Sequence, residues 1–582
     1  MYVRTVKVPS SNGSFNEYLR VVEAYRENGK VKQRIIADLG RRDLLAAMLP
    51  KLKRILEGTP TIEGEHADDI KVLDTLGWGP LLVARQLFEQ LGLWQLFDRV
   101  LGRTGPVVWT DRAFVLIASR LIHPCSEHGL AGWLETEFFC DRQGRRFVPR
   151  WRQRGRVRVE DGQLEGWYRT LDKLLAAKQD IETALYERLR DLFSLQPELV
   201  LYDITSSYFE GSGPAGLARH GYSRDGKPRN TQVIVGVVMV GGWPIVHQVW
   251  EGNRLDHTTV AEVVKELRDR FEFRRVVFVG DRGMVTKENL KHLRRQRHGY
   301  LVGVKRRGNA AMDKWLECVD EGRWVDCPVG ISASEGSNPP RTRVQEVPSG
   351  RKGMRVFVID SDERRQYEQS MRARSMDRVR EKLEKLQQRV AEGRLVDAAR
   401  IGAAAERIMQ VHHGYRYYQW HLEADGFRFE EDPVRLEREK RLEGKYLIAT
   451  SEKNLEALEA VRIYKELSEV ERAFRCLKDV LQMRPIYHKS DRRVRAHIFV
   501  AALALLLTRL LERRLKEAKV QLSASQALQA LSTLHVVRFR LDRQKSRDGV
   551  SVGSGQARQV LKALGITETR PPTPPEGDEA AV

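Results

Sequence analysis

Three acidic residues carry the chemistry that this sequence offers: Asp203 in LVLYDITSSYF, Asp281 at the end of RVVFVGD, and Glu471 in IYKELSEVERAFRCLKD. In that last stretch Tyr464, Glu471 and Lys478 recur every seven positions, and seven residues on a helix fall only about twenty degrees short of two turns. The spacing predicts one helix with all three in a single file. Leu467, Val470, Phe474, Leu477 and Leu481 form an apolar face beside it, so Glu471 stands at the margin of a core. A carboxylate there costs free energy unless a charge or a hydrogen bond meets it. On an isolated helix Glu471 would be a snorkelling surface residue. The two aspartates upstream change that.

The elements that must position these acids follow from the apolar runs. Leu199 to Phe209 is a buried-looking strand, and TQVIVGVVMV (231–240) and PIVHQVW (244–250) are two more, joined by Gly241-Gly242-Trp243. The helix HTTVAEVVKELRDRF, a fourth strand RVVFVGD, the helix TKENLKHLRRQ and a fifth strand GYLVGVK come next. A three-strand meander followed by helix, strand, helix and strand predicts an α/β fold, a mixed sheet with helices on its faces. This is the order of an RNase H-like fold. In it Asp203 falls on the first strand and Asp281 at the carboxyl end of the fourth, and those two strands are neighbours. With Glu471 added, three carboxylates repel by on the order of 4 kcal/mol per close pair at an effective dielectric near 20, so the cluster calls for cations. All-oxygen ligands suit Mg²⁺ or Mn²⁺. Two such ions about 4 Å apart activate a water or a 3′-hydroxyl and stabilise the leaving oxygen of a phosphodiester. Taken singly, Asp203 would cap the TSS turn and Asp281 would be a turn residue before Arg-Gly. His247, His257 and His497 share no ligand spacing and are expected to be structural.

Composition agrees with an anionic substrate. The 582 residues carry a net charge of +21, which points to a nucleic-acid partner, since no basic amphipathic membrane helix stands out. Five scattered cysteines without a C-x-x-C pair predict neither a disulfide framework nor a cysteine zinc site, and fit a reducing cytoplasm beside the nucleoid. The start, MYVRTVKVPSSNGSF, lacks an apolar signal core. The longest apolar run, Ile498 to Leu507, falls short of the roughly 20 residues that span a bilayer and reads as a core helix, so no membrane partner is expected.

Pattern shifts divide the chain. Residues 1–40 predict a β hairpin unit around Asn28-Gly29. Residues 41–195 are helical, interrupted by the arginine cluster 142–159 with Trp151; they form either a DNA-binding domain of helix-turn-helix kind or a plain support domain, with DNA contact favoured by the charge. Residues 196–306 are the first part of the catalytic core. An inserted domain, 307–440, is β-rich at first, then a charge-laced helical run, then alternating again around Tyr417, Tyr418 and Trp420. Residues 441–516 complete the core with the strand YLIATS and the Glu471 helix, 517–566 are C-terminal helices, and 567–582 are a disordered tail.

The residues around the acids resemble the DDE transposases of bacterial insertion sequences. Within them they resemble the cut-and-paste branch, the insertion sequence four superfamily, marked by Tyr, two residues, Arg, three residues, Glu, six residues, Lys. Here that signature reads Tyr464, Leu467, Glu471, Lys478. YDITSSYFEG around Asp203, EGNRLDHTT at 251–259 and GDRGM at 280–284 also match, so the resemblance covers roughly 200–310 and 440–510. It implies that Asp203, Asp281 and Glu471 bind two metal ions and that Tyr464 and Lys478 contact DNA at the transposon end. Leu467 replaces the signature arginine, which leaves a phosphate contact to Arg472 or Arg475, and Met284 stands where an aromatic is usual. The inserted region matches the β-rich insertion of this branch, which in relatives supplies a tryptophan that stacks on a flipped base. Trp315 and Trp324 are candidates, although a core position suits each better. The implied activity is cleavage at terminal inverted repeats of double-stranded DNA and joining of the freed 3′-hydroxyl to target DNA, by a homodimer that pairs the ends. A transposase-derived regulator without cleavage and an RNase H-like nuclease are the alternatives.

Overall fold

A computed structural model of the chain describes residues 1–9, 15–27, 30–43, 45, 70–104, 107–144, 161–195, 198–273, 276–281, 286–306, 310–328, 341–423, 426–541 and 546–573. The arginine cluster from 145 on with Trp151, Met284, and the tail beyond 573 lie outside the described residues, as do Asn28 and Gly29.

Two compact units emerge. The smaller comprises Met1–Asp74 and Val537–Gly549. Its first strands, β1 (Tyr2–Pro9), β2 (Phe15–Glu27) and β3 (Lys30–Arg41), form an antiparallel sheet in the order β1-β2-β3. The expected hairpin is thus β2 with β3, and a further strand joins ahead of it, with Tyr2 opposite Val22. The next strand, β4 (Ile70–Gly77), belongs to a different sheet completed near the C-terminus.

The larger unit is Thr75–Val536 with Val550–Val582. It opens with helices at Gly79–Gln90, Leu93–Leu101, Trp109–Ile122, Leu130–Thr136, Asp161–Ala176 and Lys178–Phe193, interrupted by the two-residue strands β5 (Arg103–Thr104) and β6 (Val107–Val108). The meander comes next as β7 (Leu199–Tyr208), β8 (Gln232–Val240) and β9 (Trp243–Glu251). Every residue of β8 is buried. Its unbroken QVIVGVVMV run therefore belongs to a strand covered on both faces. After the Val260–Phe271 helix come β10 (Val277–Gly280), the Lys287–Arg295 helix, and β11 (Gly299–Gly303); β10 lies parallel to both β7 and β11.

The β-rich start of the inserted region joins the main sheet. Its strands β12 (Val325–Asp326), β13 (Thr342–Val347) and β14 (Arg355–Ser361) continue the main sheet through β17 (Lys445–Thr450), which pairs antiparallel with β14 on one side and β11 on the other. The result is nine strands in the order β12-β13-β14-β17-β11-β10-β7-β8-β9. A bare edge on β17 would leave a row of backbone donors and acceptors unpaired, and β14 satisfies them. Between β14 and β17 rises a second body: the helices Asp362–Ala391 and Ala398–Val411, the hairpin of β15 (Tyr418–Glu423) with β16 (Gly426–Glu431), and the helix Pro433–Leu442. It has a core of its own, including Val379, Leu383, Ile401, Met409 and Tyr418. Ser361 and Asp397 cap its two long helices by accepting from Arg364 N and Arg400 N.

The helix Asp491–Glu517 is long and apolar enough to cross a membrane, yet 83% of its most apolar window is buried within the protein. As expected from Ile498 to Leu507, it is a core helix. Beyond it the region expected to be helical holds the Ala524–Leu531 and Gly555–Ala563 helices but also β18 (His535–Leu541) and β19 (Arg547–Val550), in a sheet of order β19-β18-β4. HVVRFRL alternates over too few residues to have announced itself. The start of the expected tail is held in place, since Trp78 Nε1 donates to the Thr569 carbonyl at 2.7 Å.

Candidate active site

Backbone register brings the two aspartates together. In the parallel ladder of β7 and β10, Val277 pairs with Leu199, Phe278 with Val200 and Val279 with Leu201. The same offset carried past the end of β10 sets Asp281 across from Asp203, on strands roughly 4.8 Å apart. Side chains alternate along a strand. Tyr202 points to one face, where its hydroxyl donates to Thr259 Oγ1 at 2.8 Å, so Asp203 points to the other. The Leu467–Arg475 helix packs on β7 and carries Glu471, with Val470, Ala473 and Phe474 buried and Glu471 exposed.

Asp203 feels the charge of the other two acids. Burial, followed by the charges of Asp281 and Glu471, pushes the Asp203 carboxyl up to about 7, against the backbone N–H of Ile204 and the nearby Arg224 guanidinium, which favour the ionised form.

Residues 194–507, more than half of the chain, match the family model described as the transposase DDE domain. This chain belongs to the DDE transposases. Its residues 3–68 match the model of the IS1634 family transposase N-terminal domain. Among solved structures the transposase is similar to the piggyBac transposase in a synaptic complex with hairpin DNA, determined by cryo-electron microscopy, at 11% identity and a TM-score of 0.35 over 78% of this chain and 80% of that one. No curated protein matches. Membership makes the transposase an enzyme that cleaves DNA and transfers strands, in a family that works with divalent metal ions.

Of the other residues singled out by the signature, the transposase turns several inward. The single helix expected from Ile463 to Asp479 is interrupted: Ala457–Lys465 ends at Glu466, Leu467–Arg475 comes after it, and Cys476–Val480 winds as a π turn in which Leu481 N donates to Cys476 O at 2.9 Å. Seven-residue spacing makes a file only on an unbroken 3.6-residue helix, and the wider turn shifts Lys478 and its neighbours out of that file. Tyr464 is half-buried beside Tyr446, with ring centroids 6.2 Å apart. Lys478 Nζ donates at 2.7 Å to Asp225, whose carboxylate also meets Arg484. Leu467 is buried, so the position of the signature arginine serves the core here. Arg472 is exposed and pairs with Glu469, and Arg475 is exposed. Trp315 is buried and donates to the Ser349 carbonyl at 3.1 Å, while Trp324 lies under Arg343.

One group near Asp203, Arg224, was not legible in the sequence as its neighbour. Arg224 Nη2 donates to both carboxylate oxygens of Asp256 at 2.7 Å, and its backbone N–H donates to Ser206 Oγ at 2.9 Å. Asp256 lies within EGNRLDHTT, but Arg224 sits in a long connection without periodicity, and nothing local paired the two. His247 and His497 are held inside the protein, as expected. His247 Nδ1 lies 3.0 Å from Glu182. His497 shares a cluster with Glu127 and His488, but its Nδ1 accepts from Arg120 and its Nε2 donates to Met483 O. With both ring nitrogens of His497 engaged and a guanidinium alongside, the cluster is poorly suited to a cation. The five cysteines are free.

Proposed function

We propose that Asp203, Asp281 and Glu471 are the acids of the DDE active site, set on an RNase H-like arrangement of strands, and that they act on the terminal inverted repeats of the transposase's own element. The observation that carries this is the parallel register of β7 and β10, which aligns Asp281 with Asp203 beneath the Glu471 helix.

The residues fit a divalent ion. The donor set is all oxygen, and burial together with the charges of Asp281 and Glu471 pushes the Asp203 carboxyl up, which a hard cation would offset. Asp203, Asp281 and Glu471 would hold Mg²⁺ or Mn²⁺, two ions by the number of carboxylates. When bound, such ions activate a water or a 3′-hydroxyl and offset charge on the leaving oxygen.

The chain's own part is positioning. The buried strands β7 and β8 fix Asp203, and Asp256 holds Arg224 so that a positive charge stays beside the acids whether or not a phosphodiester is present. The excess charge of +21 supports binding of duplex ends and target DNA along a basic surface, in the cytoplasm where the nucleoid lies. Arg475, exposed on the Glu471 helix and one turn from Glu471, would meet a phosphate. Pairing of two ends calls for a homodimer on DNA. The test is Asp281→Asn assayed on duplexes made from the DNA flanking the gene. Binding is retained, and cleavage and strand transfer fall by about 10³-fold or more. Cleavage that survives the substitution removes Asp281 from the site; cutting without joining in the wild type makes the enzyme a nuclease.

A further inference from the structure

Tyr464 and Lys478, two of the residues expected to grip DNA, are turned inward, and another element offers exposed cations nearby. We infer that the connection between β7 and β8, residues 209–231, is the surface that seizes the DNA strand beside the acids, with Arg219, Lys227 and Arg229 on phosphates and the Tyr222 ring against an unpaired base. This rests on the active-site assignment above.

The connection is anchored at many points. Glu210 N donates to the Ile486 carbonyl at 3.0 Å, Leu217 N to Asp491 at 3.0 Å, and Asn230 Nδ2 to the Phe209 carbonyl at 2.9 Å. A Cβ on Gly221 would meet the Gly252 carbonyl at 2.0 Å, so the backbone there is pressed flat on the β9 end. Arg224 ties the centre to Asp256 and Ser206, three residues along β7 from Asp203.

The anchored loop leaves an unusual set of groups outside. Tyr222 is 80% exposed, with the Arg224 guanidinium 5.8 Å from its ring centre. Arg219, Lys227 and Arg229 are exposed, and none has a carboxylate partner among the described residues. The loop's Asp225 does not neutralise them, because Lys478 and Arg484 occupy it. Three exposed cations and an exposed aromatic ring on one anchored loop next to a carboxylate cluster match the chemistry of a strand that has left its duplex: phosphates for the cations and a base face for the ring. An acidic protein surface would satisfy the cations but not the ring.

The test uses the full-length transposase and a duplex made from the DNA flanking its gene, with and without an unpaired end, in Ca²⁺ so that nothing is cut. For the Lys227→Gln, Arg229→Gln double variant, the plot of log affinity against log salt becomes shallower by about two, since each phosphate contact contributes about 0.9. Tyr222→Ala weakens binding of the unpaired-end probe about tenfold, leaves the blunt duplex nearly unchanged, and is rescued by Tyr222→Phe. An unchanged salt slope in the double variant overturns the inference, as does Tyr222→Ala that binds the unpaired end as tightly as wild type. Asp281→Asn separates this from the active-site assignment: it keeps the wild-type slope, and if it still cuts, the three acids fall while the loop result stands.

Discussion

Lys478 shows at the residue scale how neighbours decide a side chain's work. Its partner Asp225 is almost fully buried, and it shares that carboxylate with Arg484. Lys478→Met is expected to lower stability by about 2 kcal/mol, the worth of a hydrogen bond to a buried charge, as read from urea unfolding. No change would mean that Arg484 suffices for Asp225 and would return Lys478 to the DNA. His247 gives the pH dependence. Burial, reinforced by Lys178, holds it down to about 4 from an ordinary 6.5, despite Glu182 beside it. Between those values the unfolded chain binds a proton that the folded chain refuses. Its contribution is therefore intact above pH 6.5 and is lost as pH falls toward 4. Urea midpoints of wild type and His247→Gln should diverge accordingly, with wild type losing about 2 kcal/mol more between pH 6.5 and 5. The positions of Asp203 and Asp281 were legible because strand runs with clear ends fix where a residue sits. The burial of Tyr464 and Lys478 was not, because it depends on a helix break at Glu466 and a π turn that no spacing encodes.

At the scale of elements, the inserted helical body leaves and rejoins the sheet at one point. Asp360 pairs with Lys445, and Ser361 N donates to the Gly444 carbonyl at 3.0 Å. Joining Ser361 directly to Gly444 would close a two-residue hairpin, and Gly444 already has φ of 78°. Deleting Asp362–Glu443 is therefore expected to yield a folded protein with the far-ultraviolet spectrum of the remaining sheet and helices. It would be weakened by about 2–4 kcal/mol, because Arg306 loses Glu368, its partner at 2.7 Å, and Leu442 leaves the main core. Aggregation of the deleted form under all conditions would show the body to be integral to the sheet. The helical and hairpin pieces of this body were visible in the sequence as changes of period. That β12, β13 and β14 extend the main sheet was not, because pairing between strands about 90 residues or more apart leaves no local mark.

At the scale of the whole molecule, the charge of +21 predicts DNA binding that weakens steeply with salt, and a slope of log affinity against log salt near zero would refute a phosphate-based grip. Fold class was readable this far down because seven of the elements around Asp203 and Asp281 come in a simple order; the small unit, which draws on both ends of the chain, was not. The place of β17 between β14 and β11 also bears on how the molecule comes into being. The strand that unites the sheet is the last of its nine to be synthesised. Until residue 450 has left the ribosome, the two halves have no common member and each shows an open, sticky border. Only afterwards does Glu471 arrive. A chain that stops before Lys445 thus lacks both the seam and the acid proposed as the third of the site, and is expected to be debris for proteases and no partial cutter of chromosomes.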